Sequence, residues 1–512
     1  MGSGRSKRKP IMNNRTKSLK NLAYSALGEG VAVACGLLLP RLWAVSYGSE
    51  VNGLLSSLTQ FLVYLYLFEA GVGAATMQAL YKPVALQDWN QINRVLSATN
   101  IYYRKTGFYY LGGILLLSIV YPFVVDSYLA YWVIVGAVFF SGIGNAVNFW
   151  FKGKYTYLLQ TDGKLYVLTN LTTIVTVLTS LSKVILILLD TNIVLILAVS
   201  FTIQCLETAF VLWYIKKSYP NIDLHAEPDY QAISQKNSVM VHQISSLVFY
   251  NTDVLILTIL CDLRVVSVYT MFKLVTSHLQ KVIDLPFKSL SFSLGQTFHV
   301  DRNRFLKQID LVESFNSALV YALFSVALFL FLPFMRLYTA GITDINYIDP
   351  YLAILFVLCS LLDQSRRPMM SVIEYAGHFK KTTPYTIAEA SINLVVSLIG
   401  AFYLGIYGVL IGTVISLAYR TNQMFLYSNK KILERSAATT YKIYLVDIVM
   451  FVIIQLVLRY LFGGYEITNY VKFAGAGVVS SLIAVLIMFS GHFLLLPHCR
   501  KWAISMLRRM RK

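Results

Sequence analysis

The sequence predicts an all-α integral membrane protein of about fourteen transmembrane helices, in two six-helix lobes with two further helices behind them. Three observations carry that expectation. Of 512 residues, 56% are hydrophobic and only 13% charged, with a mean hydropathy of +0.60, a mixture far outside that of soluble domains. Apolar stretches of roughly 20 residues, enough to cross about 30 Å of hydrocarbon, recur from Leu19 almost to the end. Basic residues gather at every second junction between those stretches.

Residues 1–18 form a basic tail. The apolar stretch behind it is too long for a signal peptide and lacks a small-residue cleavage site, so the tail reads as retained in the cytoplasm. An N-terminal lobe follows at 19–215, with spans near 19–47, 52–81, 106–125, 129–151, 165–189 and 192–215. The longest connection, a polar linker at 216–236, leads to a C-terminal lobe at 237–427. Its spans lie near 237–260, 266–290, 313–338, 348–373, 385–404 and 406–427. Two trailing spans, near 441–462 and 471–496, fall within 428–497, and a second basic tail closes the chain at 498–512.

Lys82, Arg94, Arg104 and Lys105, then Lys152, Lys154 and Lys164, Lys216 and Lys217, Arg302, Arg304 and Lys307, and Lys430, Lys431 and Arg435 mark alternate junctions. The junctions between them carry Glu50, Asp126, Asp190, Asp262, Asp344, Asp349 and Glu466, with Arg264 as the lone basic exception. The positive-inside rule then places both termini in the cytoplasm of a multi-pass cell-membrane protein. Much of the net charge of +19 is thereby topological, which removes the case for a nucleic-acid partner and leaves membrane lipids and an anionic substrate.

Equivalent junctions also recur at a fixed distance. Glu50 and Arg264 are 214 positions apart (264 − 50), as are Lys152 and Arg366, and Lys216 and Lys430; Asp88 and Asp301 are 213 apart (301 − 88). Six spans per repeat is an even number, so the two lobes share one orientation about an axis normal to the membrane, the plan of a two-lobed transporter.

Several chemistries are missing from the sequence. There is no G-x-x-x-x-G-K-[ST] phosphate loop, no H-E-x-x-H and no G-x-S-x-G, and no catalytic residue or cofactor is assigned. Cys35, Cys205, Cys261, Cys359 and Cys499 are isolated, which supports neither a metal site nor a disulfide framework. A membrane glycosyl- or acyltransferase would present its acid and base on a sizeable watery loop. Here the external connections are mostly shorter than about a dozen residues, which disfavours an enzyme.

Ionisable side chains deep in a span cost about 3 kcal/mol or more and mark functional sites or structural pairs. Arg41 follows Pro40 in the first span, where the proline would bend the helix; it either binds a phosphate oxygen or snorkels to the interface. The eighth span carries Lys273, His278, Lys281, Asp284 and Lys288, with the last two and Lys281 on one helical face. Lys281 and Asp284 either pair with each other or serve a cavity, and Lys273 lies deeper. His278 is either proton-sensitive or a hydrogen-bonding group of the bundle. Glu29, Glu69, Glu207, Asp253 and Asp363 are candidate coupling sites for protons or sodium ions, or counter-charges to neighbouring cations.

The run Glu69-Ala-Gly-Val-Gly-Ala-Ala, with Leu80-Tyr81-Lys82-Pro83, Asp88 and Ile92-Asn93, resembles the segment joining spans two and three of Wzx-like polysaccharide flippases. Those flippases belong to the multidrug/oligosaccharidyl-lipid/polysaccharide (MOP) exporter superfamily. Glu389-Ala-Ser-Ile-Asn393 with Ser397, Gly405-Ile-Tyr-Gly408 and Ile411-Gly412-Thr413 are similar to that family's spans eleven and twelve. The resemblance implies alternating access and a central cavity lined largely by spans one, two, seven and eight, which bear Arg41, Glu69, Asp253 and Lys273. It further implies translocation of a polyprenyl-pyrophosphate-linked oligosaccharide for cell-surface polysaccharide biosynthesis across a bacterial cytoplasmic membrane, alongside glycosyltransferases or a polymerase of the same pathway. A drug or cation antiporter of the same superfamily is the alternative. Its cavity would be dominated by acids, whereas these spans carry both signs.

Overall fold

A computed structural model describes residues 14–69, 71–233, 247 and 251–510. The N-terminal residues 1–13 of the basic tail, linker residues 234–236, and 237–246 and 248–250 of the expected seventh span lie outside the described residues. Helix is the regular structure throughout the described residues, with no strand among them. The chain divides into two compact units, Met1–Val248 and Phe249–Lys512.

The N-terminal unit begins with α1 (Asn14–Tyr47), which runs unbroken through Pro40. Proline there removes one backbone hydrogen bond, to the carbonyl of Gly36, and the rest of the turn ladder holds the helix together. The second expected span is a broken helix. α2 (Ser49–Leu65) tightens into a 3-10 turn (Tyr66–Glu69), Gly71 adopts a left-handed conformation (φ 86°), and α3 (Val72–Leu86) resumes beyond it. α4 (Trp89–Val124) starts where the Asp88 carboxylate accepts the Gln91 amide, well before the apolar span it contains. α5 (Tyr131–Val147), a π segment (Asn148–Lys152) and α6 (Gly153–Thr161) form one continuous element, followed by α7 (Leu165–Leu188) and α8 (Ile193–Ser218).

The C-terminal unit repeats this order. α9 (Asn251–Leu260) and α10 (Leu263–Val300) lead to α11 (Arg302–Tyr338), which is capped by Asp301 as α4 is by Asp88. α12 (Pro350–Ser365) and α13 (Arg367–Tyr375) meet at Arg366, the position 214 beyond Lys152 in the π segment. α14 (Phe379–Leu404) and α15 (Ile406–Tyr427) are joined through Gly405, whose φ of 56° suits glycine, and a second π segment (Ser428–Ile432) ends α15. α16 (Ala438–Phe462), α17 (Tyr470–Leu495) and α18 (Pro497–Met510) complete the chain.

Nine helices among the described residues are long and apolar enough to cross a membrane, and the protein is a multi-pass membrane protein. They are the 27–47 part of α1, α4, the continuous α5–α6 element, α7, α8, α11, α14, α16 and α17. Four of the other expected spans are shortened or polar, and most of the seventh lies outside the described residues. α2 and α12, at 17 and 16 residues, are cut by helix breaks. α10 carries Lys273, Lys281 and Asp284, and α15 carries Arg420, Asn422 and Gln423.

The closest helix pair in the C-terminal unit is α14 with α15. A Cβ on Gly408 would meet the Gly400 carbonyl oxygen at 1.9 Å, and one on Gly412 would meet the Ser397 amide nitrogen at 2.7 Å. Small residues let the two backbones touch, the usual means of tight packing where lipid supplies no hydrophobic drive. The glycines of the 405–413 motif therefore hold two helices together and bring their polar side chains to one place.

Candidate functional site

Inside the C-terminal unit, the α14–α15 contact sets Asn393 and Thr413 side by side. The Asn393 amide donates to the Thr413 hydroxyl at 3.0 Å. That hydroxyl lies 3.1 Å from Asp253 Oδ2 on α9 and 3.2 Å from the Val409 carbonyl, which also accepts from Ser397. Tyr269, on the first half of α10, donates to the same Asp253 oxygen at 2.8 Å. Asp253 Oδ1 is buried and accepts no hydrogen bond among the described residues. One turn along α10 from Tyr269, the Lys273 ammonium stands 5.6 Å from the Tyr269 ring centre and is electrostatically attracted to Asp253. The structure thus gathers Asp253 and Lys273 on adjacent helices, around Tyr269, with Asn393 and Thr413 closing the group.

The remaining α10 candidates lie apart from that group. His278 Nδ1 is 2.7 Å from the Leu274 carbonyl of its own helix. Lys281 is exposed, while half-buried Asp284 lies 4.0 Å from Arg367. The Lys288 side chain lies outside the described residues.

A second cluster joins α12–α13 to α14 and α15. Arg366 binds Asp363 at 2.6 Å and also Glu389, and Glu389 is 3.4 Å from Arg420. All four side chains are buried. Its counterpart in the N-terminal unit is simpler: Lys152 binds Glu207 at 2.7 Å, and Thr172 lies 3.3 Å from the same oxygen. Both Glu207 and Asp363 therefore have a cation partner.

In the N-terminal unit Glu69 closes the break between α2 and α3. Its Oε1 accepts from the Tyr103 hydroxyl (2.6 Å), the Tyr157 hydroxyl (3.2 Å) and the Gly73 amide (3.0 Å) at the start of α3. A carboxylate over the first free amides of a helix is favoured by the helix dipole. A Cβ on Gly73 would sit 1.9 Å from the Tyr157 hydroxyl, so the second glycine of the motif makes room for this cage. Arg41 is half-buried on α1, and Glu29 is exposed on the same helix. The rest of the motif also has work in the fold. Ile92 is buried in the core, and Asn93 clamps the linker through Asn221 (2.9 Å) and Asp223 (3.1 Å).

No family model matches the chain, and no curated protein sequence does. Solved structures do. The lipid II flippase MurJ in an inward closed conformation is 12% identical, with a TM-score of 0.64 over 92% of this chain and 99% of that one. An inward-facing multidrug resistance MATE transporter of the MOP superfamily is 16% identical, with a TM-score of 0.62 over 81% of this chain and 98% of that one. The chain has the MOP fold. A third neighbour, the MATE multidrug transporter DinF-BH, agrees with a TM-score of 0.57 at 14% identity over 85% of this chain and 100% of that one. These MOP-fold neighbours are transporters and flippases, not enzymes.

Tyr103, Tyr157, Tyr269 and Arg420 are the residues of these clusters that sequence reasoning missed. Nothing in the local sequence of the three tyrosines marks them, because each acquires its partner from another helix. Arg420 carried the one usable signal, a charge inside an apolar stretch.

Proposed function

We propose that this protein is a flippase that carries a polyprenyl-pyrophosphate-linked oligosaccharide across a bacterial cytoplasmic membrane, with both termini in the cytoplasm, and hands it to the enzymes of cell-surface polysaccharide assembly. The observation that carries this reading is the Asp253–Tyr269–Lys273 group in a MOP fold. A cation at membrane depth suits an anionic headgroup, and the MurJ neighbour is a lipid II flippase.

In this reading Asp253 and Lys273 act as a charge exchange. While Asp253 is ionised, its negative charge favours the ammonium form of Lys273 against the cost of burial. Arrival of a proton or a sodium ion on Asp253 releases that charge for the pyrophosphate, and loss of the ion after the lobes rock expels the substrate. Arg41, half-buried on α1, is a further candidate cation for the anionic substrate. A ligand gains from a conformational or charge switch only by its difference in affinity between the two states, and a Lys273 charge no longer offset by an ionised Asp253 provides that difference.

Binding competition tests the proposal. Purified protein should bind a fluorescent polyprenyl-pyrophosphate oligosaccharide, and polyprenyl pyrophosphate should displace it while a cationic dye does not. Displacement by the dye alone would favour the antiporter, and hydrolysis or sugar transfer would revive the enzyme.

A further inference from the structure

The C-terminal unit carries a feature that the transport reading does not use. α18 leaves α17 at Pro497 and lies against α11 and α17. His498 Nε2 meets the Ser314 hydroxyl of α11 at 2.7 Å, and the Trp502 ring stands edge-on to Phe315 at 5.0 Å. Cys499, Trp502 and Ala503, spaced i, i+3 and i+4, share one face of α18. That face borders a cavity of about 210 Å³ whose other walls are Phe315, Phe489, His492 and Phe493. A second cavity of about 410 Å³ continues along α17 between Val485 and Leu494 and shares Phe489 and Phe493 with the first. Together they make an apolar groove along α17 that ends at α18. Phe489, Phe493 and Trp502 are 36%, 40% and 37% exposed, so they are available to an occupant.

The exposed charge on α18 beside this groove is positive, while the acidic Asp447 is buried against His492. Arg500 and Lys501 are exposed on α18. No acidic residue follows Glu466, while the sequence after it adds Lys472, Arg500, Lys501, Arg508, Arg509, Arg511 and Lys512. An apolar slot closed by an amphipathic helix whose charges are all positive matches an amphiphile with an apolar chain and an anionic head.

We propose that the groove along α17 and α18 binds an anionic diacyl phospholipid of the phosphatidylglycerol type, with one acyl chain along Phe489, Phe493 and Trp502 and the phosphate at Arg500 and Lys501. A zwitterionic lipid would bring a second cation toward Arg500 and Lys501 and gain less. The site is built from the C-terminal unit alone and is independent of the cargo.

The test uses full-length protein in nanodiscs of equimolar phosphatidylglycerol and phosphatidylcholine, followed by delipidation and measurement of retained lipid. Two basic residues near the surface correspond to about thirtyfold enrichment of phosphatidylglycerol. The Arg500→Gln/Lys501→Gln double variant, altered at exposed positions, should bring the ratio close to one. Ala503→Phe, which fills the cavity, should lower retention of both lipids while the protein keeps its thermal transition. Equal retention of the two lipids by the parent protein, or an unchanged ratio in the double variant, would overturn the assignment. So would displacement of phosphatidylglycerol by an equal amount of polyprenyl phosphate, or a dimer that covers the groove and excludes lipid.

Discussion

The Tyr269 hydroxyl donates a 2.8 Å hydrogen bond to Asp253, and one helical turn further on Lys273 stands over the Tyr269 ring. The tyrosine thereby holds a carboxylate and an ammonium at fixed places on two helices. A fixed pair can be switched by one added charge, whereas a mobile pair would simply follow it.

The Glu69 cage should act on the fold of the N-terminal unit before it acts on any substrate. Glu69→Ala strands two tyrosine hydroxyls and an amide, each costing about 1 to 3 kcal/mol when left buried and unpaired. Gly73→Ala should cost about 1 to 3 kcal/mol by driving its Cβ into Tyr157. Detergent melting curves should fall for both variants. An unaltered melting temperature for Glu69→Ala would assign the residue to substrate instead.

The two charge clusters should differ in cost. Glu389→Gln leaves Arg366 and Arg420 buried with less counter-charge, which typically costs about 3 to 5 kcal/mol. Glu207→Gln leaves Lys152, 17% exposed and on a flexible stem, free to reach water, and should cost about 1 kcal/mol. Thermal unfolding of the two variants in the same detergent ranks them, and equal losses would contradict the comparison.

Linker residues 219–233 are fastened to the start of α4 partly by Asp229, which accepts from the Gln91 amide at 2.9 Å and from the Ala232 amide at 3.0 Å. The Gln91 bond comes first in holding the Asp229 carboxyl below its ordinary value, followed by that from Ala232. A depressed carboxyl contributes its stability above the unfolded value, about 3.9, and loses it as pH falls through the lower folded value. Hydrogen-exchange protection of 219–233, taken relative to the intrinsic rate at each pH, should therefore hold from neutral pH down to about pH 4 and fall below it. Asp229→Ala should lower it at neutral pH, and an exchange rate indifferent to this change would remove the clamp.

The alternating basic junctions predict the orientation of the chain in the membrane. Cysteines placed at Lys217, Arg304 and Lys431 should resist an impermeant reagent on intact cells, and those at Asp126 and Asp344 should react. Labelling at position 304 without permeabilisation would reverse the orientation.

Spans were legible because apolar runs of membrane length have few other uses, and two helix starts were marked by Asp88 and Asp301, each of which caps the helix behind it. The helix limits were not: α4 begins seventeen positions before its expected span (106 − 89), since hydropathy reports lipid thickness and the cap reports the helix end. The break after Glu69 had a signal in Gly71 and Gly73, although residues 52–81 read as one span. The π segments at Asn148–Lys152 and Ser428–Ile432 had none, because a shift in hydrogen-bond register leaves no composition behind. Asp253 and Lys273 were visible one by one as charges in apolar runs. Their meeting runs through Tyr269, which binds Asp253 from the neighbouring helix, while Gly400, Gly408 and Gly412 let α14 and α15 close and so bring Asn393 and Thr413 up to Asp253.

Flipping of a fluorescent polyprenyl-pyrophosphate oligosaccharide in proteoliposomes, compared among parent, Lys273→Ala, Arg41→Ala and Asp253→Asn proteins of equal yield, tests the central claim most directly. A charge-assisted contact of about 1.5 to 3 kcal/mol makes each cation worth roughly one to two orders of magnitude in rate. Asp253→Asn should keep substrate binding and abolish the dependence of flipping on proton or sodium gradients. Parent rates in both cation variants, with gradient dependence retained in Asp253→Asn, would contradict the account.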